Sequence, residues 1–173
     1  MSKTIKQKSS NSDIHKVIFV CNGNVYRSLS AECLLKHYLN IHKIEGWEIF
    51  SAGTTARKQD INPTSISKLK SLGIKKINHK QHRLNKSMLK KFDTVIAMAV
   101  DQIDFMKTKF NYTRPFLFNE LARNEKSSIW DIGDNVKDYL TNPEGVTKEI
   151  NKTIQHIHDN IPGLVASINK LYL

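Results

Sequence analysis

The chain has 173 residues, 39% of them hydrophobic, and a formal net charge of +11 set by 27 Lys and Arg against 16 Asp and Glu. That length suits a single domain with a proper core, and no apolar run approaches the roughly 18 to 20 residues of a membrane span. The opening M-S-K-T-I-K-Q-K-S-S-N-S-D lacks the apolar stretch of a secretory signal, so a cytoplasmic location is expected.

Residues 1–12 are polar and lysine-bearing and read as a flexible basic tail, leaving 13–173 as one domain. The lysines are scattered over predicted helix surfaces and do not alternate with aromatics, so no nucleic-acid partner is expected. Lys16 to Cys21 is a short, nearly continuous apolar run, the pattern of a parallel strand buried on both faces. Ser28 to Asn40 places Ala31, Leu34, Leu35, Tyr38 and Leu39 at helical spacing. Cys33 falls in that helix and reads as a small core residue, with a redox partnership to Cys21 as the alternative. Two cysteines are too few for a disulfide scaffold and have no zinc-type spacing.

Trp47 to Gly53 alternates and ends in small residues. Asn62 then caps a predicted helix with Pro63 in its first turn, Ile66, Leu69 and Leu72 as its buried stripe and Gly73 at its close. Phe92 to Met98 reads as another buried strand, followed by Ile103, Phe105 and Met106 on a helix and by a fourth strand around Phe116. Ile150, Ile154, Ile157 and Ile161 form a helical apolar face, which Pro162-Gly163 is expected to bend or interrupt. The repeated β-α units predict an α/β fold, a three-layer sandwich with a central four-stranded parallel sheet and helices on both faces. Ligands of such sheets sit at the carboxyl ends of strands, which is where Cys21 stands.

The segment C-N-G-N-V-Y-R-S, Cys21 to Ser28, concentrates the chemistry. A free thiol is mostly protonated at neutral pH, with a pKa around 8.5, but a helix N terminus and a nearby cation favour the thiolate. Arg27 and the helix start supply both influences. Gly23 lets the backbone turn so that successive N–H groups of Asn22, Gly23, Asn24, Val25 and Tyr26 face inward as an anion nest. Arg27 can hold two phosphate oxygens with its planar fork, and the Ser28 hydroxyl can donate to the cysteine sulfur.

C-N-G-N-V-Y-R-S resembles the phosphate-binding loop of the low-molecular-weight protein tyrosine phosphatases. The similarity continues through Ala31-Glu32, S-A-G-T at Ser51 to Thr54, Asn62-Pro63, Leu72 to Ile74, H-K-Q-H-R-L at His79 to Leu84 and F-D-T-V-I-A-M from Phe92. The resemblance implies a phosphatase that hydrolyses phosphotyrosine in proteins without a metal or other cofactor. Cys21 would form a cysteinyl-phosphate, Arg27 would bind the phosphoryl group, Ser28 would assist the thiolate and Asn24 would brace the loop. It also implies an aspartate on a late loop as general acid and base. Aligning D-I-G-D-N with the common D-I-P-D-P puts Asp134 in that role, with Asp131 as competitor.

The chain departs from the pattern in places. His82 stands where relatives usually carry arginine, Leu29 replaces a frequent proline, and Tyr26 replaces a cysteine many relatives have. The proline and aromatics after the aspartate are absent, so either Tyr139 or Trp130 serves as the substrate wall or aryl substrates are gripped less well. Arg57 and Lys58 offer a cationic rim suited to acidic phosphopeptides. His37, His42, His156 and His158 show no metal-binding grouping. The alternatives are a phosphopeptide-binding module with weak turnover, a phosphatase of a non-protein phosphoester, and a thiol-dependent arsenate reductase. The last shares the fold and loop but needs a further cysteine pair late in the chain, and none is there.

Overall fold

A computed structural model describes residues 14–172. The tail expected over 1–12 lies outside the described residues. β1 (His15–Cys21) leads through a loop into α1 (Arg27–Ile41), and β2 (Trp47–Gly53) follows. Then come α2 (Pro63–Ser71), α3 (Lys86–Lys91), β3 (Thr94–Ala97), α4 (Val100–Phe110), β4 (Phe116–Leu117), α5 (Phe118–Arg123), α6 (Ile132–Asn135) and α7 (Pro143–Leu171).

The strands form one parallel sheet in the order β2-β1-β3-β4. β1 is central, and its alternating side chains explain the layers. Val17, Phe19 and Cys21 face a core shared with α1, α5 and α7, while Ile18 and Val20 face a second core built with Leu89, Phe92 and Met106. Helices therefore cover both faces of the four-stranded parallel sheet.

Local signals set most helix ends. The Asn62 side chain accepts from Thr64 N at 2.8 Å, with Pro63 at the first helical position of α2, and Asn85 caps α3 through Met88 N at 3.0 Å. In α7 the four isoleucines at 150, 154, 157 and 161 are all buried. The helix is not interrupted at Pro162: it runs unbroken for 29 residues. Proline there removes one N–H and leaves the His158 carbonyl without its usual partner. Packing against α1, α2 and α5 offsets that local cost, and a Cβ on Gly163 would stand 2.3 Å from the Ala122 carbonyl oxygen. Only glycine lets α7 approach α5 so closely.

The carboxyl ends of β1 and β3 are adjacent. The ladder between β1 and β2 continues past the strands, with Thr54 N donating to Cys21 O at 2.9 Å and Thr55 N to Asn22 O at 3.0 Å. That fixes the start of the loop after Cys21.

Candidate active site

Cys21 ends β1 and is 2% exposed. Its Sγ lies 3.0 Å from Ser28 Oγ and accepts from Asn24 N at 3.3 Å. The Ser28 hydroxyl accepts from Asn24 Nδ2 at 3.0 Å, and for its single proton the sulfur at 3.0 Å is the nearer acceptor, the Ala52 carbonyl standing at 3.5 Å. A thiolate here meets two donors.

Asn24 has a left-handed backbone, φ 57°, and its side chain holds the loop in that conformation. Nδ2 donates to Ser51 Oγ at 2.8 Å as well as to Ser28, and Oδ1 accepts from His82 N at 2.9 Å. The Asn24 carbonyl accepts from His79 Nε2 at 2.7 Å, which fixes the proton on that nitrogen. Behind them Ser51 donates to Glu32 Oε2, and Glu32 Oε1 accepts from Lys36 at 2.5 Å. The brace thus reaches from the loop to the surface of α1. Gly53 is part of it, because a Cβ there would stand 2.3 Å from Asn22 O and 2.9 Å from Asn24 N.

The backbone N–H groups of Gly23, Val25, Tyr26, Arg27 and Ser28 donate to no acceptor among the described residues. Backbone donors are rarely left so, and a run of them at a helix start is an anion-binding concavity. Arg27 is 1% exposed. Its Nη1 donates to the Ile129 carbonyl at 3.0 Å, its Nη2 contacts the Asp131 carboxylate, and Nε has no partner among the described residues.

Asn22 Oδ1 accepts from Thr54 Oγ1 at 3.1 Å and Gln102 Nε2 at 3.0 Å, and its Nδ2 donates to Asp101 Oδ2 at 3.0 Å. Asp101 and Gln102 were not singled out from the sequence. The available signal was that they follow β3 at its carboxyl end, as the loop follows β1. Glu32 and His79 were legible only as motif letters, without a role. Tyr26 is 6% exposed, with its hydroxyl donating to Glu149 O at 3.3 Å, and burial pushes its phenol up. Only its backbone can serve the loop. The Val25 side chain is partly exposed.

The late loop separates the two candidate aspartates. Asp131 caps α6, with Oδ1 accepting from Ile132 N at 2.9 Å and Oδ2 on Arg27. Asp134, favoured by the alignment, is turned back: its Oδ2 accepts from Asp131 N at 3.1 Å. The N–H groups of a helix's first turn attract it there. α6 is tied to α7 by Asn135 Nδ2 on Glu149 Oε1 at 2.7 Å. Tyr139, half-exposed, lays its ring on Gly133, where a Cβ would be 3.3 Å away. Trp130 instead borders a hollow between the loop and α7 with Thr153 and His156.

Cys33 is partly buried on α1, and burial, reinforced by Glu32, pushes its thiol up to about 12. Among the described residues no group of His, Cys, Asp and Glu is placed to hold a metal ion, and no helix is long and apolar enough to cross a membrane. Arg57 and Lys58 are exposed on the segment after Thr54 and Thr55, which hydrogen-bond the loop.

Three comparisons set this geometry beside known proteins. Arsenate reductase 2 of Staphylococcus haemolyticus is 32% identical over 89 residues, covering 51% of this chain and 63% of that protein, so the chain spans under two thirds of its length. The YwlE arginine phosphatase from Geobacillus stearothermophilus superposes with a TM-score of 0.74 at 21% identity, over 90% of this chain and 94% of that one. The low molecular weight protein tyrosine phosphatase from T. tengcongensis gives 0.73 at 24% identity, over 88% and 98%. Both structures share the fold. The model of the low molecular weight phosphotyrosine protein phosphatase family matches residues 16–171, and the chain belongs to that family.

Proposed function

We propose that the protein hydrolyses phosphotyrosine in proteins through a cysteinyl-phosphate intermediate. The observation that carries this reading is the cradle itself: a buried thiol with two donors, a run of N–H groups unpaired among the described residues and a buried guanidinium, all within Cys21 to Ser28. Cys21 Sγ attacks phosphorus and the P–O bond to the leaving oxygen breaks; the amides of Gly23, Val25, Tyr26, Arg27 and Ser28 and the Arg27 side chain take the charge that builds on the equatorial oxygens. Ser28 Oγ stabilises the sulfur as nucleophile and again as leaving group when water attacks phosphorus and the S–P bond breaks.

Each half-reaction moves one proton. A carboxyl group gives it to the leaving oxygen and takes it back from the attacking water. The sequence alignment gave this role to Asp134; the geometry supports Asp131, because Asp131 reaches Arg27 while Asp134 is held on the backbone behind it. Asp134 then acts as a positioning residue.

Two other reactions are suggested by the names of relatives. Arsenate reduction consumes two electrons from thiols, and beside Cys21 the 173 residues hold only Cys33, whose thiol is partly buried and held protonated. A phosphoarginine substrate would bring a guanidinium past the apolar Val25, whose side chain offers it no acceptor. An arenol leaving group instead suits the Tyr139 ring on Gly133 as a wall.

Steady-state hydrolysis of a phosphotyrosyl peptide, a phosphoarginyl peptide and a small aryl phosphate tests the proposal. Turnover is expected on the first and third and to vanish in Cys21→Ser while phosphopeptide binding survives. Preference for the phosphoarginyl peptide would overturn the substrate assignment. Turnover that persists in Cys21→Ser would overturn the mechanism.

A further inference from the structure

The three nitrogens of the Arg27 fork have different surroundings. Nη1 is held by the Ile129 carbonyl, whose segment is itself fixed by Ile129 N on Met98 O at 2.7 Å. Nη2 is on the Asp131 carboxylate, and Nε has no acceptor among the described residues although the side chain is 1% exposed. A guanidinium grips a tetrahedral oxyanion through two neighbouring N–H groups. Freeing Nη1 would mean moving the backbone, so the pair left for an anion is Nε and Nη2. One of these, Nη2, already carries a carboxylate on one of its two N–H groups, so a dianion gripped there meets a like charge on the same nitrogen.

We propose that Asp131 is the displaceable counter-ion of Arg27: a dianion entering the loop exchanges with its carboxylate on Nη2, and the released carboxylate takes up one proton from solvent. The inference rests on the anion-binding role proposed for the loop. Once released, Asp131 cannot go far, since Oδ1 is tied to Ile132 N and its own N–H to Asp134 Oδ2. It stays beside the ligand, having lost its cation and gained two like charges. Both changes disfavour the charged form. The charged and titratable groups around it are Arg27 and Tyr26 at the start of α1, Asp134 on α6 and Glu149 on α7, with Cys21 in the same loop. Arg27 is the cation in contact with Asp131; Lys152, the other cation on that side, is paired with Glu149 at 3.8 Å.

Two consequences follow for the reaction. Binding of a phosphomonoester dianion itself loads the proton that the leaving oxygen later takes. A monoanionic phosphodiester, with one charge fewer, competes less well against Asp131, so the exchange selects monoesters.

Inorganic sulfate is the probe, because it remains a dianion with no proton of its own to exchange at about pH 7, and Cys21→Ser removes the thiol from the proton balance. Calorimetric titration of that variant in two buffers of different ionisation enthalpy is expected to show uptake approaching one proton per sulfate bound. Cys21→Ser/Asp131→Asn is expected to bind sulfate about tenfold more tightly with uptake near zero, since the competing charge is gone. Cys21→Ser/Asp134→Asn should keep the uptake. Sulfate binding without proton uptake, uptake that survives Asp131→Asn, or weaker binding in Asp131→Asn each overturns the exchange and leaves the anion cradle standing. No sulfate binding by Cys21→Ser overturns the cradle with it.

Discussion

Two residues separate Asp131 from Asp134, and the short helix that Asp131 caps and Asp134 belongs to sends one carboxylate to Arg27 and the other to a backbone N–H. Loss of Asp131 should therefore cost the proton transfer, and loss of Asp134 only the restraint. Asp131→Ala is expected to lower kcat by about 10² or more on phenyl phosphate and much less on p-nitrophenyl phosphate, whose leaving group needs no proton. Asp134→Ala is expected to stay within about tenfold of the parent on both. The reverse pattern in steady-state kinetics would return the role to Asp134. Cys21, Arg27 and Ser28 were legible in the sequence because their geometry is local, a strand, a turn and the first turn of a helix. The choice between the aspartates was not, since it depends on where Ile129 docks against Met98, more than thirty residues away. Asp101 and Gln102 were hidden for the same reason: they touch Asn22 only because β1 and β3 are neighbours.

At the scale of elements, long periodic segments declared themselves and short ones did not. β1, β2, α1 and α2 fall within a few residues of their predicted spans, because each carries an uninterrupted apolar pattern, whereas α7 extends from Pro143 to Leu171, well beyond the isoleucine face read over 150–161. α3, α5 and α6 have six residues or fewer and were missed; a single buried residue such as Leu89 makes no period. The strand expected over Phe92 to Met98 is regular from Thr94 to Ala97, with Asp93 N and Met98 N still donating to Lys16 O and Val20 O at 2.9 Å, while Phe92 stacks on Phe50 in the core. Pro162 was a misleading signal. Its local rule is real, but the adjoining Gly163 lets α7 press on α5, and tertiary contact prevails. Gly163→Ala should therefore force the two helices apart and cost about 1–3 kcal/mol by urea unfolding. An unchanged midpoint would show that the Ala122 carbonyl moves aside freely.

For the molecule as a whole, two histidines link stability to pH. Burial, assisted by His79 and Lys80, pushes His82 below its ordinary value, and burial, assisted by Arg123, does the same to His156. The unfolded chain therefore binds protons more readily than the folded one, so their contribution is complete above the ordinary histidine value of about 6.5 and is lost as pH falls below it. Thermal melts are expected to show a falling Tm between about pH 7 and 5, with a shallower slope in His156→Asn. An identical slope would remove His156 from the account.

The Tyr172 hydroxyl is hydrogen-bonded to Thr94 at 2.6 Å, and its ring lies 4.8 Å from that of His15. Both described ends of the chain therefore meet at the amino edge of the sheet, a full strand length of about 20 Å from Cys21. A peptide linker joining them, with a new opening cut in the exposed turn after α1, should yield a circular permutant that keeps its catalytic loop intact. By the same geometry, an immobilisation tether or fluorescent label attached beside His15 or Tyr172 stands at the opposite edge of the sheet from the Cys21 loop.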